Sequence, residues 1–183
     1  MTLRPIVRLG HPSLRTPADP VEPGEIPGAD FQTLVDDMVE TMNDANGVGL
    51  AAPQVAVGKQ LFVYRAVGPH GDIEEPENKV LINPMVEPVP GEVLYDWEGC
   101  LSIPDLRGLV PRHPAVRVYA LDRDGQSLSL TVEGYEARII QHEFDHLNGV
   151  IFLDRMRDLR SLAYGDEWER YMTTADEHEA QVG

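Results

Sequence analysis

The chain has 183 residues and a mass of 20.4 kDa, room for one domain and a short appendage but not for a second large domain. Apolar residues make up 42% and charged residues 25%, the usage of an ordinary globular protein, which indicates neither a wholly disordered chain nor a membrane-embedded one. Fifteen Lys and Arg against 31 Asp and Glu give a formal charge of −16 and a pI near 4.6, so a DNA backbone or an anionic lipid surface would be repelled. One cysteine, Cys100, allows no intramolecular disulfide and points to a reducing compartment. The opening MTLRPIVRLGHPSL lacks a basic-then-apolar leader, and no stretch approaches the ~18 apolar residues of a membrane span. The cytoplasm is therefore the expected location, with neither DNA nor membrane as a partner.

Six of the fifteen prolines lie in the first thirty residues, so this segment is expected to run extended over the rest of the protein. Asp30 is expected to cap a helix whose apolar positions, Phe31, Leu34, Val35, Met38, Val39 and Met42, follow helical spacing; Asn46-Gly47 would end it. From Leu61 to Val132 the short runs LFVYRA, VLINP, EVLYDW, LRGLV, AVRVYAL and SLSLTV, separated by Gly, Pro and Asp, predict a mostly antiparallel sheet region. Asp122–Gln126 joins the last two runs as a hairpin connection. Tyr135–Leu147 reads as a helix between Gly134 and Asn148-Gly149, with Ile139, Ile140, Phe144 and Leu147 toward a core. Ile151–Leu153 is expected as a last strand, and Asp158–Thr173 as a helix with an apolar stripe of Leu159, Leu162, Trp168 and Tyr171. Residues 161–183 carry six acids and one base, and the last ten are expected to fray.

Within the second helix stands His142-Glu143-Phe144-Asp145-His146. Histidines four positions apart project from one helix face and can reach one metal, while the glutamate beside the first can handle the protons of an attacking water. A catalytic site of this kind needs a third protein ligand and an open position. The histidine of the metzincin pattern is absent, since Phe152 stands at its place. That leaves a downstream glutamate, Glu167 or Glu169, or the thiolate of Cys100. Asp145 is either a group that orients a ligand histidine or a solvated carboxylate.

Cys100 lies in Glu98-Gly99-Cys100-Leu101-Ser102, and Gly47-Val48-Gly49-Leu50-Ala51-Ala52-Pro53-Gln54 precedes it. In order and spacing, GVGLAAPQ, EGCLS and QHEFDH resemble the three signature motifs of the peptide deformylases. The resemblance extends over the LGHPSLRTPADPV opening, the VLINP run, the LDRDG hairpin and HLNGVIFLDR, to about residue 160. It implies a metal-dependent hydrolase that removes the formyl group from the N-terminal formylmethionine of nascent peptides and releases formate. Cys100, His142 and His146 would be the metal ligands with water as the fourth, and Glu143 the general acid and base. The Gln54 amide and the Leu101 backbone N–H would face the developing oxyanion. Gly49 would let the substrate backbone approach, and Val48, Tyr135, Ile139 and the stem of Arg138 would line the methionine pocket. Gly99, Glu98, Arg107 and Arg112 match positions around the substrate groove, Glu98 paired to an arginine and Arg107 facing the peptide.

The family uses one divalent metal per chain, Fe2+ in cells, with Zn2+, Ni2+ or Co2+ accepted in purified protein. Some members dock on the ribosome through a basic C-terminal helix; here GDEWERYMTTADEHEAQVG is acidic, so ribosome proximity would not use that contact. The expected architecture is one α+β domain over residues 1–165, mostly antiparallel sheets around a central HExxH helix. An acidic extension, 166–183, partly helical and then frayed, would follow it.

Overall fold

Proline density keeps most of the first 28 residues out of regular structure. In the computed structural model, which describes residues 2–67 and 77–173, they are interrupted only by a 3-10 turn at Pro12–Arg15. The segment is pinned by its backbone: the N–H groups of Val7, Leu9 and Ala18 donate to the carbonyls of Gln54, Ser102 and Leu147. Its own side chains Leu14, Val21 and Ile26 are buried. The expectation that the last ten residues fray lies outside the described residues.

Helix α1 spans Ala29–Asp44 and buries Leu34, Val35, Met38 and Met42, the stripe its spacing predicts. Its N-cap is Gly28, so Asp30 sits inside the first turn rather than capping it, where its negative charge still complements the positive end of the helix dipole. Asn46 at φ 52° ends the helix in the left-handed region, as a short amide side chain allows.

Two antiparallel sheets follow. The first runs in the order β1–β2–β3–β6–β7, formed by Gly49–Ala51, Leu61–Arg65, Asn78–Pro88, Ala115–Leu121 and Ser127–Glu133. Along β2 the side chains alternate, Leu61 and Val63 packing with α1, Phe62 and Tyr64 into the cluster that holds Ala137, Ile140 and Leu147. Both faces are covered, so the run is continuously apolar. A register shift in β3 sets Asn83 at φ 50°, and its amide exchanges two hydrogen bonds of 2.8 Å with the Val21 backbone. The second sheet runs β4–β5–β8, formed by Leu94–Cys100, Ile103–Arg112 and Ala163–Tyr164.

Helix α2, Gly134–Leu147, packs against β1, β2 and β7. Ile151–Leu153 is not a strand: α3 spans Phe152–Arg155, because the Asp154 carboxylate accepts from the Ile151 N–H at 2.9 Å and closes a helical turn. Nor is Asp158–Thr173 one helix. It divides into a 3-10 turn at Leu159–Ser161, then β8, then the short α4 at Gly165–Tyr171, because Ala163 and Tyr164 pair with Arg107 and Leu106 of β5. Among the described residues, no helix is long and apolar enough to cross a membrane.

Candidate active site

The 3.6-residue period of α2 brings His142 and His146 to one face, where their rings lie 5.0 Å apart at 76°. The two-residue period of β4 turns Glu98 and Cys100 the same way, and both are buried. Ligand atoms of Cys100, His142 and His146 consequently lie within 4.8 Å of one another, with Cys100 Sγ 3.3 Å from His146 Nε2. A tetrahedral metal with S and N ligands separates them by about 3.5 Å, so closing on an ion needs shifts of about an ångström at most. Three buried, convergent donors of these types fit one divalent ion.

The neighbours of this cluster are polar and directed. His142 Nδ1 donates to Glu98 Oε2 at 2.9 Å, which leaves Nε2 as the lone-pair donor toward the cluster. Arg112 grips Glu98 with two hydrogen bonds, 2.8 and 3.0 Å, and Arg138 Nη1 adds a third at 2.9 Å. Burial would raise the Glu98 pKa, but the bonds from Arg112 and His142 outweigh it and hold the carboxyl well below its usual range. Asp145 accepts from Arg112 at 2.6 Å and from Arg155 at 2.6 and 3.0 Å. It is buried and not solvated, reaching His142 only through Arg112 and Glu98. His146 is held neutral by its burial, the form in which imidazole binds a metal.

Glu143 stands beside this cluster with burial pushing its pKa up to about 7, and a divalent ion nearby would pull it back down. Its Oε2 is buried and without a hydrogen-bond partner among the described residues. The edge strand β1 makes room for it: a Cβ on Gly49 would stand 2.3 Å from Glu143 Oε1. Gln54, at the end of the 3-10 turn Ala52–Val55, accepts from the Ala51 N–H with its oxygen at 2.8 Å. That fixes its NH2 toward Ser102 Oγ at 3.2 Å and Cys100 Sγ at 3.5 Å.

These groups open onto a cleft of about 640 Å3. Every residue the resemblance places in the site borders it except His146 and Arg112, which are both buried. Val48, Tyr135 and Ile139 give one apolar side, and the Arg107 guanidinium lies against Gly99, where a Cβ would come within 2.0 Å of Nη1. Arg138 contributes here while its guanidinium is occupied by Glu98 and by the carbonyls of Val110 and Leu94. Arg112 does not border the cleft; it is buried behind His142, because it is consumed by Glu98 and Asp145. Glu167 and Glu169 are exposed on α4, outside the Cys/His/His cluster. Trp97 and Trp168 line the cleft and were not singled out by the sequence, where Trp168 reads as one position of an apolar stripe.

Residues 3–161 match the family model for polypeptide deformylase. Peptide deformylase 1 of Nitrosomonas europaea is 41% identical over 177 residues, 96% of this chain and 99% of that protein. Peptide deformylase 2 of a Nostoc species is 43% identical over 175 residues, 93% of this chain and 96% of that one. Among solved structures, the Met-Ala-Ser-bound class I type b peptide deformylase from Acinetobacter baumannii superposes with a TM-score of 0.77 at 36% identity, over 85% of this chain and 99% of that one. A peptide deformylase from Synechococcus elongatus in complex with actinonin gives 0.77 at 37% identity, over 94% of this chain and 88% of that one.

Proposed function

The chain belongs to the peptide deformylase family, metal-dependent hydrolases, and we propose that it removes the formyl group from the N-terminal formylmethionine of nascent peptides in the cytoplasm, releasing formate. The observation that carries this reading is the convergence of Cys100, His142 and His146 within 4.8 Å beside an unpartnered Glu143 carboxylate oxygen.

Cys100, His142 and His146 would hold one divalent ion, Fe2+ as the native metal, although the same donors accept zinc. When bound, such an ion polarises the formyl carbonyl and makes water nucleophilic near neutral pH. Glu143 takes a proton from the attacking water and returns it to the departing amine, a task suited to a buried carboxylate whose pKa lies near 7 without the ion. The Gln54 NH2, oriented by the bond between its oxygen and Ala51 N–H, donates to the oxygen that becomes negative, together with the Leu101 N–H. Glu98, kept ionised by Arg112 and Arg138, fixes the His142 ring. Val48, Tyr135 and Ile139 hold the methionine side chain. The peptide runs along the β1 edge, which pairs with β2 on its other side only.

The test is formate release from formyl-Met-Ala-Ser by wild type and Glu143→Ala. The variant is expected to keep the metal of the wild type and lose at least about 100-fold in kcat. A Glu143→Ala protein with unimpaired turnover would remove the proposed acid–base role.

A further inference from the structure

One residue of the cleft lining, Trp168, lies beyond the matched segment 3–161. Trp168 of α4 faces the cleft with its ring 6.0 Å from that of Trp97, and the Arg107 guanidinium carbon lies 5.8 Å from the Trp168 ring centre. The placement is built in. β8 pairs with β5 at Ala163 and Arg107, so the strand that carries Arg107 also anchors the helix that carries Trp168. Arg107 is held in turn on its other side, where Nη1 donates to the Leu106 carbonyl at 3.1 Å and the guanidinium covers Gly99. The result is a layered platform of peptide backbone, guanidinium and indole that starts one residue from the ligand Cys100.

We propose that Trp168, stacked with Arg107, forms a subsite for the third residue of the substrate and favours an aromatic or apolar side chain there. The inference rests on the deformylation reading and adds a determinant of peptide choice to it. An extended peptide advances about 3.4 Å per residue, so with its formyl group at Glu143 and Cys100 its third residue lies about 7 Å beyond its first. Gly99 adjoins Cys100, a Cβ on it would stand 2.6 Å from the Arg107 guanidinium carbon, and that carbon lies 5.8 Å from the centre of the Trp168 ring, so this stack is on the scale of that advance. An aromatic side chain there is removed from water and stacks on planar groups already fixed, while Arg107 keeps free donors for a peptide carbonyl.

The test compares formyl-Met-Ala amide with formyl-Met-Ala-Phe amide on the metal-loaded full chain. The wild type is expected to prefer the longer peptide by about tenfold in kcat/KM, an effect of the size of one aromatic pair with its burial. Trp168→Ala is expected to erase that preference through KM, and Trp168→Phe to keep most of it. The deformylated peptides Met-Ala amide and Met-Ala-Phe amide should show the same pattern in calorimetric Kd. A preference unchanged in Trp168→Ala, or an equal loss on both peptides, would overturn the subsite while leaving deformylation standing. Formate from neither peptide with the wild type would instead overturn the deformylation reading, and the subsite with it.

Discussion

Gly49→Ala puts the geometry of Glu143 under direct test. The added Cβ would stand 2.3 Å from Glu143 Oε1, 2.7 Å from Cδ and 2.8 Å from Cγ, against ordinary contacts of 3.4 Å or more. Strand β1 is paired along its length with β2 and cannot retreat, so the carboxylate must withdraw by about 1 Å. Displacement of a catalytic group by that much costs about 100-fold in rate, or about 2.7 kcal/mol of barrier. Gly49 is not among the positive-φ residues, so alanine fits the backbone and the fold keeps its stability or gains a few tenths of a kcal/mol. The assay is steady-state formate release with metal content and Tm measured on the same sample. The loss is expected in kcat, with Tm and metal unchanged. Activity within about threefold of wild type would refute the reasoning. So would a loss confined to KM, which would assign the glycine to substrate approach alone.

Glu98→Gln leaves Arg112 and Arg138 buried against a neutral amide; it should cost about 3–5 kcal/mol by denaturant titration and speed metal loss to a chelator by about 10- to 100-fold. An unchanged chelation rate would separate Glu98 from the ligand His142. Phe152→Ala removes a ring that is 1% exposed and stacks on His142 at 6.3 Å, and should destabilise the protein by about 3–5 kcal/mol in the same titration. A chain ending at Thr173 retains α4 and is expected to deformylate formyl-Met-Ala-Ser within about twofold of the full chain; a tenfold loss would assign the acidic last ten residues a part in activity.

What the sequence discloses depends on how local the determining physics is. Helix α1 was legible because its buried stripe recurs at 3.6 residues, and β2 because LFVY is apolar on both faces. The three convergent donors, which could hold a metal, were traceable by the spacing of His142 and His146 and by the motif around Cys100. Of the Glu98 network, the pairing to an arginine came with the resemblance, but its extent did not: the partners Arg112, Arg138 and His142 stand 14, 40 and 44 residues away, and charged residues in a sequence look alike whether solvated or buried. Ile151–Leu153 read as a strand from its β-favouring residues, yet the Asp154 side chain decided in favour of a helical turn. Trp168 was hidden for a related reason. Its stripe is real in sequence, but pairing of β8 with β5 broke the helix and turned the indole into the cleft.

The most direct test of the account is metal stoichiometry and formate release measured together on anaerobically purified protein, with Cys100→Ala alongside. The account predicts about one metal per chain and rapid release of formate from formyl-Met-Ala-Ser, with both lost in the variant. A folded, metal-loaded wild type that releases no formate, or a Cys100→Ala protein that keeps its metal and its activity, would contradict it.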